Sequence, residues 1–255
     1  MLLLILATAR PTPTTALPES VEVVERGAPN TLTSAEVAAG WQLLWDGVSG
    51  EGWRAAGGKT FPEHGWSIQD GVLTIRAARF YEFRAGGDLF SEARFGDFVL
   101  DFDFRLTEGA NSGVKYLAEP QKQMGFVHSL GCEYQLLDDA RHPDAKAGRD
   151  GNRGLGGLYD MIPPEPRPAR GVGAWQHGRI HLEKGQLAHY LDGVRIVSVE
   201  IDSPAWQSAL AGSKFADRSG YCAGPDGHIV LQDHGNEVRF RNLRILPLDA
   251  EPGES

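Results

Sequence analysis

Nine consecutive residues constrain this chain more than any other stretch. In Phe98–Leu106, the side chains of Phe98, Leu100, Phe102, Phe104 and Leu106 fall on one side of an extended backbone, with Val99, Asp101, Asp103 and Arg105 on the other. A helix would scatter those five apolar residues around its circumference, whereas a strand gathers them on one face. The stretch predicts a β-strand in a sheet buried on one side only. Asp101, Asp103 and Arg105 read as a charge-balanced outer surface.

Turn chemistry extends this pattern along the chain. Asp70-Gly71 and Asp192-Gly193 each sit between two extended runs, and both residue types accept the positive φ that a tight hairpin demands. Further strand-like runs are 114–117, 132–137, 179–183, 228–232 and 238–246. Helical signals are sparse. The stretch 204–214 has Ser203 as N-cap and Pro204 in the first turn, and 34–39 reads as a short patch capped by Ser34. Residues 119–130 and 139–157 read as long irregular loops, of the kind that carry function. About a dozen strands with almost no helix make an all-β, two-sheet sandwich.

Composition narrows the function classes. A net charge of −9 argues against a nucleic-acid partner, because affinity there comes from Lys and Arg on phosphates. No run of about 18 apolar residues is present to span a membrane as a helix. Residues 2–6 are apolar and are followed by Ala7-Thr8-Ala9 and a Pro/Thr-rich stretch. That pattern reads as the clipped end of a secretory signal, and so predicts a periplasmic or secreted protein. Residues 1–33 are read as leader and linker, 34–248 as one sandwich domain and 249–255 as a tail. Cys132 and Cys222 lack metal-site spacing and read as two buried small hydrophobes, with one bridge left open.

Polar residues within strands mark the candidate site. In 132–139, alternation puts Glu133 and Gln135 on one face, with Tyr134, Leu136 and Asp138 on the other. A carboxylate beside an amide offers the acceptors and donors that sugar hydroxyls need. Gln232 and His234 form a second such pair before Gly235, and the histidine suits acid/base work. Asn111, Tyr116, His142, Lys146 and Tyr159 add polar groups on neighbouring segments. Trp41, Trp45, Trp53 and Trp66 read as core anchors, and Trp175 as an aromatic face for a sugar ring. There is no GxSxG elbow, HExxH or phosphate-loop motif. The paired-glutamate strand of sandwich-fold glucanases, which sets two carboxyls about 5–5.5 Å apart, is also missing.

Several motifs occur here in order: Leu44-Trp-Asp-Gly47 with Gly52-Trp53, Trp66 followed by Asp70-Gly71-Val-Leu, and Asn111-Ser-Gly-Val114. Glu133-x-Gln135-Leu-Leu-Asp138 comes next, then Gly227-His-Ile-Val-Leu-Gln-Asp-His-Gly235 with Phe240-Arg-Asn242. Over about residues 40–248 this string resembles the 3-keto-disaccharide hydrolase family. The stretches 142–146, 151–153 and 158–160 are similar to a subgroup of it. The resemblance implies an antiparallel jelly-roll sandwich of the concanavalin A-like lectin/glucanase type. It also implies a small-molecule glycoside substrate whose C3 hydroxyl has already been oxidised, and hence a separate sugar 3-oxidoreductase upstream.

A C3 ketone acidifies the C2 proton, so a base can remove it, the C1 substituent can leave by elimination, and water can then add. Such a site needs a base, a donor to the enolate oxygen and an acid for the leaving oxygen. On this chemistry His234 or Glu133 is the base, and Lys146, Lys214 or Tyr116 stabilises the enolate. Asp138 and His142 are candidate acids or ligands, while Asn111, Gln135, Tyr159 and Gln232 bind hydroxyls. A divalent cation on the enolate oxygen is a further option that the carboxylates and histidines leave open. The alternative from another class is a non-catalytic, lectin-like carbohydrate-binding module, because this fold serves both.

Overall fold

A computed structural model describes residues 16–24, 28–77, 86–123, 126–167 and 170–248. The leader pattern at residues 2–9 and the tail 249–255 lie outside the described residues. Two antiparallel sheets pack face to face in a jelly-roll sandwich. The back sheet runs β11 (Val194–Glu200), β10 (Gln186–Leu191), β9 (Gln176–Glu183), β6 (Phe98–Leu106), β13 (Val238–Pro247), β4 (Val72–Ile75) and β3 (Trp66–Gln69), with β1 (Gln42–Leu43) beside the far end of β13. The front sheet runs β2 (Trp53–Ala55), β5 (Leu89–Phe95), β12 (Gly227–Leu231), β7 (Asn111–Gln123) and β8 (Phe126–Leu137).

The core lies where the alternating row of β6 meets the inner row of the front sheet. Phe98, Leu100, Phe102, Phe104 and Leu106 are all buried, facing Val114, Tyr116, Tyr134, Leu136, Ile229 and Leu231. Rings interlock edge to face across the sheets, with Phe102 and Tyr134 at 5.3 Å and Phe98 and Tyr116 at 6.1 Å between centroids. Each aromatic buried this way contributes about 2–3 kcal/mol of apolar transfer free energy. Both Asp-Gly turns form as expected, with φ of 52° and 70° at Asp70 and Gly71 and of 47° and 84° at Asp192 and Gly193.

The outer face of β6 departs from expectation. Asp101 is fully buried, and its carboxylate accepts from Arg179 and from Arg244 Nη2 at 2.7 Å. Asp103 accepts from His177, Arg241 and Asn242. The face is charge-balanced, but it is covered. Trp41 lies over both Arg179 and Arg244 rather than in the core, and Asn30 exchanges hydrogen bonds with Asn242. Trp45, Trp53 and Trp66 are the core anchors that the pattern predicted.

Three further differences follow from local physics. Residues 119–123 and 126–130, read as part of a loop, are paired strand instead, the outer part of β7 and β8, whose pairing resumes at Glu119↔Leu130 after a bulge following Tyr116. Helix α1 (Ser34–Ala38) is capped by Thr33, because Glu36 reaches back to the Thr33 N–H and completes a reciprocal capping box. Helix α2 (Pro204–Ala211) has the predicted Ser203 cap and stops at Gly212. The two cysteines form a disulfide, not a pair of free hydrophobes.

Candidate functional site

A cleft of about 940 Å³ lies on the outer face of the front sheet. Strand alternation builds its floor. Val114 and Tyr116 point into the core from β7, so Asn111, Gly113 and Lys115 point out. Cys132, Tyr134 and Leu136 point in from β8, so Glu133 and Gln135 point out. Register then sets Lys115 against Glu133 and Gly113 against Gln135, and the Gln232 N–H donates to the Gly113 carbonyl at 2.9 Å. The floor is therefore a sheet surface bearing Asn111, Gln135, Gln232, Lys115 and Glu133, with His234 beyond the end of β12.

Glu133 is the chemical centre of that floor. It is 3% exposed, and its Oε2 lies 3.6 Å from Lys115 Nζ. Burial pushes its carboxyl above the ordinary value, against the opposing pull of Lys115 and Lys214. Asp88 also lines the cleft, but both its oxygens are engaged, one by Asp233 N–H and the other by Ser129 Oγ at 2.6 Å.

Two segments form the walls. Residues 151–157, which hold four glycines, lie alongside β8, where Gln135 exchanges backbone hydrogen bonds with Gly156 and Gly157, and Tyr159 N–H donates to the Glu133 carbonyl. Gly156 has φ of 81°, and a β-carbon there would run into Ile196. This packing brings Tyr159 to the cleft, with its hydroxyl donating to Asp144 at 2.8 Å. Residues 213–219 make the roof and carry Lys214 and Phe215. Lys214 Nζ sits 4.1 Å from the centre of the Tyr159 ring, and burial pulls its pKa below the ordinary lysine value, with Arg153 adding to the effect and Glu133 opposing it. Cys222 bonds to Cys132, the residue before Glu133, and so ties the roof segment to the floor strand.

The structure brings together Glu133, His234, Asn111, Gln135, Tyr159, Lys214 and Gln232. It places the remaining candidates elsewhere. Tyr116 is fully buried in the core, where its hydroxyl bonds to His189 Nε2 at 2.8 Å. Asp138 accepts backbone N–H groups from Gly109 and Ala140 and an Arg141 contact, so it stitches a turn together. His142 caps a single 3-10 turn, Pro143–Lys146, and lies edge-on to His234 at 6.2 Å, at the margin of the cleft. Lys146 ends that turn and is exposed. Trp175 is on the opposite side of the molecule, over Arg105 and Arg241 of the back sheet, in a separate hollow of about 370 Å³.

Lys115 went unselected in the sequence although a signal for it existed. The alternation that buries Val114 and Tyr116 places Lys115 beside Asn111's face. Asp88 precedes β5 in a connection that carries no comparable signal. Among the described residues no three His, Cys, Asp or Glu side chains come together as ion ligands.

Comparison with known proteins places this arrangement in a family. A family model described as a 3-keto-alpha-glucoside-1,2-lyase-like domain matches residues 40–246. A 3-keto-disaccharide hydrolase of Bacteroides thetaiotaomicron is 33% identical over 232 residues, spanning 83% of this chain and 80% of the relative. Among solved structures, a protein of Parabacteroides distasonis termed a glycosyl hydrolase superposes with a TM-score of 0.73 at 26% identity, covering 87% of this chain and all of that one. A second from the same organism, at 20% identity and a TM-score of 0.59, covers 89% and 94% and shares the fold. The chain belongs to the 3-keto-alpha-glucoside-1,2-lyase-like domain family.

Proposed function

We propose that this protein is a glycoside-cleaving hydrolase that acts on 3-keto-glycosides by proton abstraction, elimination and hydration. The observation that carries this reading is a buried carboxylate, Glu133, set among sugar-binding amides with the lysines Lys115 and Lys214 in the same cleft. Glu133 takes the C2 proton, and the electron pair of that C–H bond becomes the enolate of the C3 ketone. Lys214, with Lys115 beside Glu133, stabilises the enolate oxygen as its charge develops. The enolate then collapses, C1–C2 becomes a double bond, the C1–O bond breaks, and His234 protonates the departing oxygen. The collapse re-forms the C3 ketone as an enone, and water then adds its oxygen to C1 and a proton to C2, which saturates C1–C2 and completes net hydrolysis. Asn111, Gln135 and Gln232 hold the ring hydroxyls.

A lectin-like reading leaves the buried Glu133 and its two lysines without a task. Hydroxyl recognition needs the amides alone, whereas burying ionisable groups costs free energy that binding does not recover. The disulfide supports an exported protein in an oxidising compartment. A separate oxidoreductase would supply the ketone.

The test is aglycone release from a 3-keto-glucoside and from its unoxidised parent, with and without chelator. Release from the keto form alone, lost in Glu133→Gln, is the expected result. Binding of both sugars without release from either would overturn the reading in favour of a lectin.

A further inference from the structure

We infer that Asp160 and the Cys132–Cys222 disulfide are positioning elements which hold the Lys214 ammonium at its working distance from Glu133. This inference rests on the roles proposed above for Glu133 and Lys214. Asp160 is buried, lines no part of the cleft among the described residues, and adopts a left-handed backbone with φ of 60°. One of its oxygens accepts the Lys214 backbone N–H at 2.7 Å, and the other accepts Arg153 Nε at 2.6 Å. Arg153 Nη1 reaches Asp144 at 2.6 Å, and the second Asp144 oxygen takes the Tyr159 hydroxyl at 2.8 Å. The Tyr159 ring then meets Lys214 Nζ at 4.1 Å. These contacts close into a ring that starts and ends at Lys214.

That ring is an expensive arrangement for a surface segment, since it commits a buried carboxylate, Asp160, and a half-buried ion pair, Asp144 with Arg153, to positions that do not line the cleft. Its product is one defined place for an ammonium group. The second tether acts from the other end of the roof. Residues 212–226 contain no helix or strand, and among their contacts are the Phe215–Tyr221 stack at 4.3 Å and the Cys222 bond to the floor strand. Asp160 holds the roof at Lys214, and Cys132 holds it one residue from Glu133. Both partners of the proposed charge pair are thereby referred to the same strand, β8. An enolate is stabilised by charge that is already in place, and a displacement of about 1 Å costs on the order of 100-fold in rate.

The experiment is a pair of double-mutant cycles on the full chain, with a 3-keto-glucoside as substrate. Asp160→Ala is expected to lower kcat about 100-fold with KM little changed, and to lower it no further when Lys214→Ala is already present. Asp160→Asn keeps an oxygen for the Lys214 N–H and tolerates the left-handed backbone, so it should recover most of the loss. Reducing the disulfide, with retained secondary structure checked by circular dichroism, should lower kcat in the wild type but not in Lys214→Ala. If the reduced chain unfolds, the Asp160 cycle decides alone. Equal losses from Asp160→Ala with and without Lys214 would overturn the positioning role, as would an unchanged kcat. Failure of the underlying reading looks different: the wild type does not cleave the keto substrate, or Lys214→Ala turns it over at the wild-type rate.

Discussion

Glu133 lies across Gly113, so closely that a β-carbon on the glycine would stand 2.8 Å from the carboxyl carbon. The glycine is there for its missing side chain, because no positive φ is demanded of it and Gln135 is its partner across the strands. Gly113→Ala is therefore expected to push the carboxylate off its seat while the sheet survives. The outcome to look for is a fall of about 100-fold in kcat, with unfolding free energy lowered by only about 1–3 kcal/mol. Steady-state kinetics beside a urea melt measures both.

Burial raises the Glu133 pKa, which fixes a pH dependence in activity and in stability. In the proposed mechanism Glu133 must be ionised to act as the base, so the acid limb of kcat/KM against pH should lie above the ordinary carboxylate range. For stability, a carboxyl whose folded pKa is raised favours the fold while protonated. That contribution is complete below the unfolded value and is lost as pH rises through the folded one. Glu133→Gln removes the titration, so the Tm difference between variant and wild type should move in the variant's favour across that window and then level off. Turnover in the variant should fall by about 10²–10⁴-fold.

His189 should govern acid sensitivity of the fold rather than catalysis. It is fully buried between the Tyr116 hydroxyl and the Gly156 carbonyl, and burial pulls its pKa down from 6.5 to about 4. The folded state thus resists a proton that the unfolded chain accepts. Stability is whole above pH 6.5 and is lost as pH falls toward 4, by about 3 kcal/mol in all. His189→Asn should flatten that slope whatever it does to the absolute stability, and denaturant melts across the range would show it.

Trp175 offers the opposite contrast. It sits over Arg105 and Arg241 on the back sheet, so it has no route to the cleft. Trp175→Ala should leave kcat and KM for the keto substrate unchanged and cost about 1 kcal/mol of stability through the lost cation–π contacts. A raised KM would mean that the substrate reaches the back sheet.

What was legible in the sequence was whatever depends on period and turn type. Alternation along β6 and the two Asp-Gly hairpins identified the sandwich, and alternation along β8 put Glu133 and Gln135 on the face that carries the cleft. The Lys184-Gly185 hairpin between β9 and β10 uses the same positive φ, but lysine carries no turn preference to announce it. Cover was the illegible part. Asp101 looks like surface in a strand pattern, and nothing local says that Arg179, Arg244 and Trp41 will close over it. His142, Lys146 and Asp138 drew attention by their charge, yet charge density in a loop does not report direction. The Cys132–Cys222 bond joins residues 90 positions apart, and pairing of that kind depends on topology.

The order of strands has a consequence for how the chain comes to exist as a folded object. β12 and β13 come last among the described strands, yet each occupies the interior of its sheet, β12 between β5 and β7, and β13 between β6 and β4. Until they arrive, the front sheet is two unjoined pieces, the back sheet is three because β1 pairs with β13, and the cleft floor lacks Gln232 and His234 altogether. A chain cut just before Gly227 keeps most of its strands and neither of its sheets whole. Such a fragment should be cleared by protease rather than accumulate.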